Sequence, residues 1–134
     1  MTDDHCPTPR VTPETEQFWR ATAENRLMIS RCEECDLVYY YPRSSCPDCF
    51  SDQTTLQETR GTGEIYSYTV TSYIAGWPDD ELPLVIAQVE LDEGPRIFTN
   101  IVDCEREELA IGEPVKVAFE RRTEDVSIPV FRLK

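Results

Sequence analysis

Lysine is almost missing from this chain. Only Lys116 and Lys134 carry it among 13 basic residues, and 26 acids oppose them for a net charge of −13. Coulomb repulsion on that scale disfavours polyanionic partners, nucleic acid first among them. Histidine is confined to His5, so a nucleophile elsewhere has no histidine base near it in sequence. No apolar run approaches the roughly 18 residues that a membrane helix needs, which argues against a membrane partner. The start, MTDDHCPTPRVTPE, is acidic and polar and lacks the pattern of a secretory signal. A cytoplasmic, reducing compartment is the expectation, and disulfides seldom persist there.

What the chain does have is cysteine in a pattern. Four of its six cysteines lie in RCEECDLVYYYPRSSCPDCF, as two Cys-x-x-Cys pairs, Cys32 with Cys35 and Cys46 with Cys49, ten residues apart. Four thiolates on two tight knuckles suit a tetrahedral d¹⁰ zinc ion, with iron as the lesser option. A redox role needs a low-pKa thiol at a helix N-terminus, a setting that neither pair has. A closed four-sulfur site leaves no open position for water, so the expected zinc, one per chain, is structural.

The rest of the chain reads as mainly β. Residues 1–26 are expected to hold a mobile arm and a short helix that starts at Thr12-Pro13-Glu14 and runs to about Asn25, with Phe18, Trp19, Ala23 and Leu27 on its apolar side. Residues 27–58 form the cysteine module, two extended stretches followed by a polar link from Ser51. Residues 59–134 carry five strands: 65–73, the alternating Val85, Ala87, Val89 and Leu91, then 96–102, 115–119 and 127–133. A helical turn is expected near 103–110, between the third and fourth strands, which is the order of an OB-fold barrel. Trp77 falls in an exposed-looking loop between the first two strands.

Other residues carry less. His5 and Cys6 sit in the arm. Cys104 has no base beside it in sequence and reads as a small buried hydrophobe. Strict alternation along the first barrel strand places Tyr66 and Tyr68 on one face, which would be core, an interface or a stacking platform for an adenine ring. The acid excess resembles the surfaces of proteins from salt-loving archaea, and so reports habitat as readily as partner.

The order of motifs resembles one family. A Phe-Trp helix, RC-x-x-C…YPR-x-x-CP-x-C, G-x-G-x-IYSYTV, LP-x-VIA-x-VEL and C-x-x-x-x-LAIG-x-PV-x-V-x-FE, spanning residues 13–133, are similar to the acyl-CoA-associated zinc-ribbon and OB-fold proteins long catalogued as a domain of unknown function. The resemblance implies a rubredoxin-like ribbon with zinc on Cys32, Cys35, Cys46 and Cys49 and no catalytic residue. It implies a companion subunit of thiolase-superfamily enzymes: acetoacetyl-CoA thiolase and hydroxymethylglutaryl-CoA synthase in archaea, thiolase-like enzymes of steroid or aromatic-acid breakdown in bacteria. Asp36 departs from the glycine that many such ribbons have, at a position that often needs a left-handed backbone. On this reading Phe18, Trp19, Tyr39, Tyr40 and Tyr41 grip the partner. Tyr66 and Tyr68 cover its CoA entrance, with Arg60 and Arg96 as phosphate contacts. The alternative, a single-strand nucleic-acid binder, wants a basic aromatic groove in a chain poor in basic residues.

Overall fold

The computed structural model describes residues 7–134, so His5 and Cys6 lie outside the described residues. The order is one helix, α1 (Glu16–Ala23), then β1 (Met28–Cys32), β2 (Val38–Tyr39), β3 (Thr54–Glu58), β4 (Thr62–Thr71), β5 (Leu84–Leu91), β6 (Arg96–Ile101), β7 (Pro114–Arg121) and β8 (Ser127–Leu133). Strands β2-β1-β3 make a small sheet that carries the cysteine knuckles, and β4-β5-β6-β8-β7 close into a barrel. This is the zinc ribbon and five-stranded OB barrel expected from the sequence, including a short 3-10 turn at Arg106–Glu108. Among the described residues no helix is long and apolar enough to cross a membrane.

Helix α1 begins one turn later than Thr12-Pro13 suggests. Thr12 and Thr15 instead close a turn on each other, with the Thr15 N–H donating to the Thr12 carbonyl (3.0 Å) and the Thr12 N–H to Thr15 Oγ1 (3.0 Å). The helix stops at Ala23 because Asn25 adopts a positive φ of 63°, and the Arg26 N–H returns to the Ala21 carbonyl. Its buried face is Phe18, Trp19, Ala21 and Thr22. Ala23 is only half-buried, and Leu27 is buried beyond the helix end. Eight residues of helix are marginal alone, and tertiary contacts with β8 and β1 hold this one. One of those contacts is polar: buried Thr22 Oγ1 accepts the Ser127 N–H at 3.1 Å.

The polar stretch after Ser51 is more than a link. Thr54–Glu58 pairs along all of β1, from Met28↔Glu58 to Cys32↔Thr54, and so completes the ribbon. The ribbon meets the barrel at Thr59, whose N–H and hydroxyl both donate to the Leu27 carbonyl. Two glycines then let β4 enter the barrel between β5 and β7. Gly61 has φ 77°, and a Cβ there would lie 2.6 Å from Val117 Cγ1. At Gly63 a Cβ would press into the Glu90 carbonyl of β5. Barrel and ribbon root share one core, in which Phe18, Ile29, Ile65, Val89, Leu91, Ile97, Val115 and Phe131 are all buried.

Candidate metal centre and the surfaces around it

The two knuckles are near copies of each other. In the first, the Asp36 N–H donates to the Cys32 carbonyl (3.0 Å) and the Cys32 N–H to the Leu37 carbonyl (2.9 Å). In the second, the Phe50 N–H donates to the Cys46 carbonyl (3.0 Å) and the Cys46 N–H to the Ser51 carbonyl (2.8 Å). Each turn closes with a left-handed residue, Asp36 at φ 66° and Phe50 at φ 65°. Asp36 was expected to tolerate that conformation, and its carboxylate takes a 2.7 Å hydrogen bond from Arg31. Phe50 was not singled out. A large side chain with positive φ is uncommon, and this one is also 78% exposed.

The turns bring all four Sγ atoms within 4.8 Å of one another, with Cys32 and Cys49 3.5 Å apart and Cys35 and Cys46 3.6 Å apart. Zinc–sulfur bonds of about 2.3 Å place tetrahedral sulfurs about 3.8 Å apart, so the cage fits the ion. It does not fit disulfides, whose sulfurs lie about 2 Å apart. Backbone N–H groups point at the sulfurs, from Cys35 to Cys32 Sγ (3.5 Å) and from Asp48 and Cys49 to Cys46 Sγ (3.4 and 3.5 Å). Burial pushes the Cys46 thiol up, but the backbone N–H groups of Cys49 and Asp48 and the neighbouring thiols outweigh it and bring it to about 7. Cys32 and Cys46 are buried while Cys35 and Cys49 are exposed, so one edge of the cage faces solvent. The chain binds one structural zinc here, and the ion ties the two knuckles to β1.

The aromatic residues divide differently from the sequence expectation. Phe18, Trp19, Tyr40 and Tyr41 form a cluster of edge-on rings with centroids 4.8–6.4 Å apart. Phe18 is 0% exposed and Trp19 5%, so both belong to this chain's own core and not to its surface, which corrects their assignment as partner grips. Tyr40 is deeply set, and burial raises its hydroxyl above the ordinary value. Tyr39 is half-buried on β2 and donates to the Arg43 carbonyl at 3.4 Å. Tyr41 is the member of the set that stays exposed.

Tyr66 and Tyr68 do not share a face. A β-bulge between Ile65 and Ser67 makes Tyr66 the extra residue, so the alternation of sides is reset there. Tyr66 turns outward under the Arg96 guanidinium, 3.7 Å above its ring. Tyr68 pairs with buried Ala87, and its hydroxyl donates to the Leu109 carbonyl at 3.3 Å. Arg96 also donates to Glu90 at 3.0 Å, so its charge already has a partner. Arg60 is elsewhere, at the ribbon–barrel junction. It lines a cleft of about 370 Å³ together with Arg26 and Lys116. Arg26 is paired with Glu24 and Glu58, whereas Arg60 and Lys116 have no ion-pair partner among the described residues. Sequence reasoning missed this grouping because residues 26, 60 and 116 meet only through the fold; the scarcity of lysine was the one available signal.

Cys104 is half-buried beside the core. Burial, with Glu108, Glu105 and Asp103 nearby, raises its thiol above the ordinary value, the opposite of what a nucleophile needs.

Comparison with known proteins follows this division of the chain. Residues 19–55 match the ChsH2 rubredoxin-like zinc ribbon domain, and residues 56–120 match the ChsH2 C-terminal OB-fold domain. A DUF35 domain-containing scaffold protein of Methanocaldococcus jannaschii is 38% identical over 80% of this chain and 77% of its own length. A probable enoyl-CoA hydratase alpha subunit of Thermomonospora curvata is 35% identical over 94% of this chain, which spans only 39% of that relative. Among solved structures, a chain of an Ltp2-ChsH2(DUF35) aldolase superposes with a TM-score of 0.82 at 34% identity, covering 94% of this chain and 98% of that one.

Proposed function

Because this chain belongs to the ChsH2 and DUF35 family of zinc-ribbon and OB-fold proteins, we propose that it is a non-catalytic companion subunit of a thiolase-superfamily enzyme, helping to hold or pass on acyl-CoA intermediates. The observation that carries this reading is the end-to-end superposition on a chain of an Ltp2-ChsH2(DUF35) aldolase. The likeness spans ribbon and barrel together, and so covers the unit that would present a surface to an enzyme. The scaffold naming of the Methanocaldococcus relative supports the same role.

Within that role the zinc centre supplies folding energy, since metal binding and ribbon order are linked. The ribbon then presents Tyr41 and the strained, exposed Phe50 as anchors for the partner, because aromatic side chains often dominate interface energy. The cleft at the ribbon–barrel junction is the better candidate for CoA phosphates than the Tyr66 face. It brings Arg60 and Lys116, neither of them ion-paired among the described residues, together on a molecule of net charge −13. Arg26 beside them is held by Glu24 and Glu58, whereas Arg96 is committed to Glu90. An acyl-CoA hydratase is the second candidate partner, favoured by the Thermomonospora relative, in which this chain corresponds to part of a longer subunit.

Co-expression with the thiolase, synthase and hydratase candidates of the same organism, followed by size-exclusion chromatography, tests the proposal. Stable co-elution with a thiolase-superfamily enzyme is expected. Co-elution with a hydratase alone would move the assignment to the second candidate. Elution away from all of them, with tight binding to single-stranded RNA, would replace both.

A further inference from the structure

The ribbon sheet ends at β3, which pairs with β1 on one side and, among the described residues, with no strand on the other. The ladder decides which backbone groups this leaves open. The Thr59 N–H donates to the Leu27 carbonyl and the Glu33 N–H to the Gln53 carbonyl. Hydrogen-bonded pairs alternate along an antiparallel ladder, so Gln57 and Thr55 turn their backbone groups inward to β1. Thr54, Leu56 and Glu58 therefore turn theirs outward. No proline, lysine or bulge guards this edge, as natural proteins usually arrange. Met28 and Leu56 share one face of the sheet, half-buried beside a cleft of about 390 Å³ that Ala21 of α1 also lines.

An open row of alternating donors and acceptors is the template for an added extended strand. This strand is complementary to itself. Run antiparallel to a second copy with Leu56 on the two-fold axis, Leu56 faces Leu56, Thr54 faces Glu58 and Thr55 faces Gln57 of the other copy. The outward-turned residues then meet one another, and each such pair exchanges both backbone bonds. Glu58, the one charge in the strand, meets a hydroxyl and not a like charge. Two residues further on, the same register sets Asp52 against Arg60, which has no ion-pair partner among the described residues. In such a pair Arg60 is shared between that acid and the junction cleft. The two Leu56 side chains lie together on the side of the α1 cleft.

We infer that β3 is the interface of a homodimer, which joins two three-stranded ribbons into one continuous sheet. Pairing uses up the edge on both copies, so the assembly closes at two. Five residues of strand bury less than the roughly 1,200 Å² of a stable interface, so the dimer is weak and reversible. The inference does not depend on the subunit role proposed above.

The test uses the full zinc-loaded chain in molar potassium chloride, which screens the −13 charge of each copy. Analytical ultracentrifugation from micromolar to millimolar concentration should show a reversible monomer–dimer equilibrium. Over the same range the N–H groups of Thr54, Leu56 and Glu58 should gain protection from exchange with rising concentration. Those of Thr55 and Gln57, already bonded to β1, should not change. Thr54→Pro removes an outward donor and no bond to β1, so it should weaken dimerisation about tenfold at full zinc content. Leu56→Lys, which sets two ammonium groups against each other on the axis, should weaken it at least as much, and decides the matter if the proline variant loses zinc. A monomer at millimolar concentration would overturn the inference, as would a dimer that both variants leave intact or whose protected amides lie outside β3. Protection of the β3 edge only when a partner enzyme is added, with the chain alone monomeric, would assign the edge to that enzyme and overturn it too.

Discussion

The ribbon and the barrel reach order by different physics. The ribbon has a two-residue strand, β2, and few buried apolar side chains, and its knuckles converge on four sulfurs within 4.8 Å of one another. The barrel closes five strands around Ile65, Val89, Leu91, Ile97, Val115 and Phe131, none more than 2% exposed. A small unit without a sufficient core relies on a staple, and a closed barrel does not. The ribbon's order is therefore conditional on metal, while the barrel's is intrinsic. Between them stand α1 and Thr59, which touch both.

The sharpest way to break this contrast is to remove the metal. Chelation, or Cys46→Ser, should abolish amide-exchange protection in β1 and β3 while the amides of Val89 and Ile97 keep theirs. Equal loss in both regions would mean one cooperative unit. Next in size is the barrel's own centre. Phe131→Ala should cost about 3–5 kcal/mol in denaturant unfolding, through lost burial and the cavity left behind, with zinc content unchanged. A smaller effect is expected at the bridge. Thr22→Val leaves the buried Ser127 N–H without its acceptor and should cost about 1–3 kcal/mol. Surface charge should act more gently still. With 26 acids against 13 basic residues, a net charge of −13, self-repulsion predicts a melting midpoint that rises from dilute buffer to molar potassium chloride, and a flat response would remove the halophilic reading.

The smallest effect concerns Glu14, whose carboxylate accepts the Ser44 N–H and joins the helix approach to the ribbon loop. Backbone and side-chain hydrogen bonds from Ser44 hold its pKa below the ordinary 4.5. A depressed folded-state pKa means that its contribution is present above 4.5 and lost as pH falls through the lower folded value. Glu14→Gln should therefore lower stability slightly at neutral pH, leave it nearly unchanged below the folded value, and so flatten the acid limb of the stability profile.

Much of this architecture was legible because it is written in local pattern. The alternation of Ala87, Val89 and Leu91 gave β5 its buried face, and paired cysteines gave the cage its ligands. Asp36 was readable as a left-handed residue because the knuckle geometry demands one there. What stayed hidden depends on partners distant in sequence. Strand β3 is polar, and only its pairing with β1 makes it a strand. The bulge at Tyr66 leaves no mark in composition, yet it separates two tyrosines that strict alternation unites. Phe18 and Trp19 looked like interface residues because nothing local shows that β1 and β8 cover their helix. The open edge of β3 and the Arg26–Arg60–Lys116 cleft were invisible for the same reason.

The subunit role is tested most directly by rate. The partner enzyme's acyl-CoA condensation or cleavage should be assayed with this chain present, omitted, and added back after zinc removal. The account predicts a rate at least about tenfold higher with the zinc-loaded chain than without it, a change of about 1.4 kcal/mol in the barrier, and no rescue by the metal-free form. An equal rate in all three would contradict it.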